Sequence, residues 1–82
     1  MKDQINWDSL IEFLIAFFGT KEMIDSLTVS KNSYQEKMLT KAIAYKLVVE
    51  VSRHSSNSVE VFSDYILLPK GKKEIEKYKN QL

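Results

Sequence analysis

From Leu47 onward the apolar residues of this 82-residue chain stop recurring at helical spacing and begin to alternate. Before that point Leu10, Phe13, Leu14, Phe17 and Phe18 keep the three-and-four spacing of a buried helix face, and Leu39, Ala42 and Ile43 keep it again. After it come Leu47-Val48-Val49-Glu50-Val51, Val59-Glu60-Val61-Phe62 and Tyr65-Ile66-Leu67-Leu68, rich in the β-branched and aromatic residues that suit strands. The expectation is an α+β fold, helical first and then closed by a two-stranded hairpin. Lys46 and Glu50 also stand at helical spacing, which leaves open a longer helix running through Val51. The run of valines counts against it.

Capping and breaking residues divide the first half further. Asn6 suits the cap of a helix from Trp7 to Phe18, with Asp8 and Glu12 near its positive end, and Gly19 supplies a stop. Thr20 is placed to cap a short second helix, Lys21 to Leu27, with Thr28-Val29-Ser30 as the turn after it. Asn32 or Ser33 caps a third helix reaching about Tyr45. Ser52 to Ser58 is polar and turn-forming. Pro69 closes the strand and opens a last helix, Lys70 to Lys79.

Residues 1–82 make one domain, and a domain this small buries only about 60–65% of its unfolded surface. With no cysteine there is neither a disulfide staple nor a thiolate metal site, as in a reducing compartment. The apolar run from Trp7 to Phe18 is broken by Asp8, Ser9 and Glu12 and is too short for a bilayer, which needs about 20 residues. Met1-Lys2-Asp3-Gln4 lacks the basic start of a signal peptide. A soluble, cytoplasmic protein is expected.

At this point two segments carry a resemblance. Leu39-Thr40-Lys41-Ala42-Ile43-Ala44-Tyr45-Lys46-Leu47-Val48-Val49-Glu50-Val51 looks like the exit of a recognition helix into a strand. Tyr65-Ile66-Leu67-Leu68-Pro69-Lys70-Gly71-Lys72-Lys73-Glu74-Ile75 is similar to a recurring tyrosine–x–leucine–threonine–x–lysine–glycine junction between strand and helix. Together, from about Trp7 to Tyr78, the chain resembles the winged helix–turn–helix family of small bacterial and archaeal regulators, some carried on mobile elements. The resemblance implies three helices, a two-stranded wing and a C-terminal helix. It also implies a third helix, about 32–45, in the major groove of DNA, with the wing at 52–58 on the backbone or minor groove. Two positions depart from the family pattern: Lys46 stands where a glycine is common, and Leu68 where a threonine caps the last helix.

The charge distribution agrees with a polyanionic partner more than the net charge of +1 suggests. Residues 1–28 carry −3, residues 31–46 carry +3, residues 47–68 carry −2 and residues 69–82 carry +3. A segregated field of this kind acts locally. Gln35 has the chemistry to pair with adenine, and lysine to donate to guanine. Lys31, Lys37, Lys41 and Arg53 are candidates for phosphate, as are Ser30, Asn32 and Ser33 at the helix start. Thr40 and His54 complete the expected contact set. Glu36 opposes it, since a carboxylate repels phosphate.

Two copies on a pseudo-palindromic site would bind more firmly than one. Trp7, Ile11, Ile15 and Phe18 are the candidate homodimer interface, because the first helix has more apolar bulk than one face hides; an internal aromatic cluster is the other reading. Catalysis has little to stand on. There is no cysteine, the one histidine sits in a polar turn, no glycine-rich phosphate loop occurs, and no carboxylates pair by spacing. No enzyme activity, cofactor, metal or small-molecule ligand is expected. The functional expectation is a regulator that binds double-stranded DNA. A winged-helix module that docks on protein, or a sequence-tolerant architectural DNA binder, are the alternatives.

Overall fold

The computed structural model describes residues 6–55 and 59–81. Their order is α1 (Trp7–Phe18), β1 (Met23–Ser30), α2 (Tyr34–Ala44), β2 (Val48–Ser55), β3 (Glu60–Leu67) and α3 (Pro69–Asn80). The strands form one antiparallel sheet in the order β1-β3-β2. The fold is α+β, with three helices and the β2–β3 hairpin expected from the valine-rich half. Residues 56–58 of the expected wing turn lie outside the described residues, and Ser52 to Ser55 belong to β2 rather than to a turn.

The helix expected over Lys21–Leu27 does not form, nor does the turn at Thr28–Ser30. That stretch is β1. Asp25, Ser26, Thr28 and Val29 are poor helix formers, and Asp and Ser side chains compete for backbone hydrogen bonds. Pairing with β3 settles the matter: Val29 faces Val61 and Leu27 faces Ser63. A bulge of one extra residue between Ile24 and Leu27, where Asp25 and Ser26 together oppose Asp64, hides this strand's alternation in the sequence pattern. Among the described residues, then, the two helices before the hairpin are separated by a strand, and no helix–turn–helix pair stands there. The longer helix through Val51 does not form either, since α2 stops at Ala44.

The caps behave as their chemistry dictates. Asn6 Oδ1 accepts from the Ser9 amide at 2.9 Å, and Ser33 Oγ accepts from the Glu36 amide at 3.1 Å. Gly19 ends α1 at φ 61°, a backbone state that costs glycine nothing. Leu68 occupies the cap of α3 and makes no side-chain capping bond, while Pro69 fills the first turn. Lys46, just past the end of α2, has φ 65°. A side chain there carries a left-handed penalty of roughly 1 kcal/mol. Lys46→Gly should therefore raise stability by about 0.5–1 kcal/mol in urea denaturation; a loss would show that the lysine contributes something the backbone does not explain.

β3 alternates strictly, with Val61, Ser63, Tyr65 and Leu67 buried. Helices α1 and α2 close over that face through Leu10, Ile11, Leu14, Met38, Leu39 and Ala42. The opposite face presents Met23, Val49 and Val51 to solvent, between half-buried Phe62 and Ile66. The candidate dimer residues are largely spent inside the chain. Ile11 and Phe18 are 0% and 3% exposed, and Ile15 is half-buried against the same core. The reason is that α1 touches both α2 and α3, so two of its flanks are covered where the sequence pattern suggested one. Trp7 keeps partial exposure and packs edge to face with Tyr45, ring centroids 5.2 Å apart. Tyr78 of α3 donates its hydroxyl to Glu12 of α1, and that bond pushes its pKa up to about 12.

No helix among the described residues is long and apolar enough to cross a membrane.

Candidate nucleic-acid interface

α2 follows β1 through a three-residue turn, Lys31-Asn32-Ser33. The Lys31 amide donates to the Val59 carbonyl at 2.7 Å, and Asn32 takes a left-handed φ of 64°, which asparagine tolerates well. Glu36 reaches back from the first turn, so that its Oε1 accepts from the Asn32 amide at 2.6 Å. The arrangement is a variant of the capping box, satisfying amides that the helix itself leaves open.

The sequence-derived contacts are distributed unequally around this scaffold. Lys37 and Thr40 are exposed on the outer side of α2, with Lys41 half-buried on its flank. Ser30 and Asn32 are exposed at the entrance to the helix, and Lys31 and Ser33 are half-buried there. Gln35 is half-buried, on the side of α2 that also carries Met38 and Leu39, so it is poorly placed to read a base edge. His54 lies across from Phe62, on the face of the sheet away from α2, with the two rings edge to face and their centroids 6.2 Å apart. Its separation from the helix follows from the alternation of strand side chains.

Arg53 is exposed but engaged. Its Nη1 donates to both oxygens of Glu50, at 3.1 Å and 2.9 Å, and its Nη2 stands 4.0 Å from Glu36 Oε2. Residues three apart in a regular strand point to opposite faces. Here they meet because β2 is bulged: Val51 pairs with Asp64 and His54 with Phe62, so Ser52 and Arg53 together oppose Ser63. Ser52 takes the left-handed turn, φ 54°, that the bulge requires.

Glu50 is the centre that sequence reasoning missed. Its Oε2 also accepts from Ser63 Oγ at 2.9 Å and from Tyr65 OH at 3.1 Å. Both donors are almost wholly buried, and burial, before the nearby carboxylate, raises the Tyr65 pKa above 10. The network borders a groove of about 200 Å³ between α2 and the hairpin, walled by Glu36, Leu39, Thr40 and Ile43 on the α2 side and by Glu50, Arg53 and Tyr65 on the hairpin side. Only the placement of a glutamate in a valine-rich strand hinted at it.

Among the described residues no three histidine, cysteine, aspartate or glutamate side chains converge as a metal site would need. No family model, curated protein or solved structure matches the chain.

Proposed function

We propose that this domain binds double-stranded DNA by presenting the outer side of α2 to the duplex, with the β2–β3 hairpin beside it, and acts there as a regulator. The observation that carries this reading is the position of Lys37 and Thr40, exposed on a helix that leads directly into a hairpin, with Lys31 and Lys41 on either side. A helix of this width fits the major groove, and lysines at its margins neutralise flanking phosphates. Ser30 and Asn32 add hydrogen-bonding groups at the helix entrance. Arg53 is held by Glu50 and is left out of the contact set, as are Gln35 and His54.

Three lysines that each meet one phosphate give a slope of log affinity against log salt of about −2.7 per protomer. Fluorescence anisotropy with a labelled duplex over a salt series measures it directly. Replacing Lys37 and Lys41 by glutamate should flatten the slope by about 2 and weaken binding to every duplex tested. An unchanged slope in that variant, or no salt-sensitive binding by the parent protein at micromolar concentration, would overturn the proposal. A module that docks on protein is the second reading, favoured by one observation: the carboxylates of Glu36 and Glu50 border the face that DNA would approach.

A further inference from the structure

We infer that the groove between α2 and β2 is a receptor for a single basic side chain, an arginine or lysine, carried by a protein partner. Its size sets the first limit. At about 200 Å³ it falls below the roughly 300 Å³ at which drug-sized ligand pockets begin, and it matches one long side chain better than a cofactor.

Its chemistry sets the second. One wall, Leu39 and Ile43, is aliphatic and suits the methylene stem of such a residue. The same helix adds the Glu36 carboxylate, and the opposite wall, on β2, carries the Glu50 carboxylate and the Arg53 guanidinium, so the groove holds one net negative charge. Glu50 is only 16% exposed, and buried Ser63 and Tyr65 both donate to it, so its oxygens are fixed before any ligand arrives. A carboxylate positioned in advance costs a binding partner little reorganisation.

The third observation is that the groove already holds a guanidinium. Arg53 reaches it from the chain's own bulge and remains 51% exposed, with both of its short bonds made through one nitrogen. Its second nitrogen stands 4.0 Å from Glu36, beyond hydrogen-bond distance. Space between Glu36 and Glu50 is thus incompletely used by the resident cation. An incoming arginine would present its planar fork to these carboxylates, in the bidentate manner that Arg53 does not achieve. Charge and apolar wall together distinguish this site from a surface for phosphate, so the inference stands independently of DNA binding.

The test is a titration followed by amide chemical shifts, with no DNA present. The probes are a blocked glycyl-arginyl-glycine peptide and its citrulline counterpart, which keeps the shape and lacks the charge. The arginyl peptide should shift the amides of Thr40, Ile43 and Glu50, and the citrulline peptide should not. Arg53→Ala vacates the site and should tighten arginyl-peptide binding by about tenfold, because a tethered competitor acts at an effective millimolar concentration. Glu36→Gln, which retains an acceptor for the Asn32 amide and so keeps the helix start, should weaken it. Absence of shifts at the groove in both the parent and Arg53→Ala would overturn the inference. So would equal binding of the two peptides, or indifference to Glu36→Gln.

Discussion

Gly71→Ala should destabilise the domain by about 3 kcal/mol or more, although alanine is the better helix former by up to about 1 kcal/mol. A Cβ at this position would lie 2.4 Å from the Leu47 carbonyl oxygen and 2.7 Å from Leu67 Cδ1. The leucine methyl can turn aside; the carbonyl cannot. Leu47 is held at both ends, its amide donating to the Ala42 carbonyl at 2.9 Å and its oxygen accepting from the Leu68 amide at 2.9 Å. Relief of the clash would have to push α3 off the junction between α2 and β2, where Lys70 Nζ also bonds the Tyr45 carbonyl at 3.0 Å. For a domain of this length the loss corresponds to a fall in Tm on the order of 15 °C, readable by circular dichroism. A melt within a few degrees of the parent would show that α3 does not press on Leu47 as described.

Glu50→Ala should cost about 2–3 kcal/mol, a large effect for a residue on a hairpin. Among the described residues every buried side-chain polar atom has a partner, and this substitution removes an acceptor shared by two of them. Ser63 Oγ and Tyr65 OH are left without their common acceptor, on residues 2% and 3% exposed. Each orphaned buried group costs about 1–3 kcal/mol, with water entering the adjacent groove recovering part of it. Glu50→Gln keeps one oxygen acceptor and should lose only about 1 kcal/mol. Pairing Glu50→Ala with Ser63→Ala in a double-mutant cycle separates the shared loss from cavity effects, and strict additivity would contradict a common network. The alkaline limb gives an independent sign. Since burial raises the Tyr65 pKa above 10, the stability it contributes is complete below pH 10 and disappears as pH rises through the folded-state value.

What could be read in advance divides along physical lines. α1, α2, the hairpin and α3 announce themselves through local chemistry: Asn6 and Ser33 as caps, Gly19 as a stop, Pro69 as an opener, and valines that resist a helix. β1 does not announce itself, because its identity is conferred from a distance. Met23 to Ser30 has no clean period of two, the bulge at Asp25 and Ser26 breaks it, and only the edge of β3 makes it a strand. The candidate site divides in the same manner. Lys37 and Thr40 follow from helical geometry, and they stand outward as expected. Arg53 and Glu50 meet only because one extra residue in β2 changes which face the later side chains take, and no residue type marks that event.

The sheet order has a consequence for the sequence of events in folding. β2 and β3 are neighbours along the chain, so closing them is cheap in loop entropy and fast. β1 must return to β3 across all of α2 and β2, pairing residues such as Val29 and Val61 that are far apart in sequence. Until that return is complete, the middle strand of the finished sheet is an open edge that carries Phe62 and Ile66. The moment of greatest danger for this protein is therefore before its first strand docks, when a second nascent chain offers β3 the same hydrogen bonds.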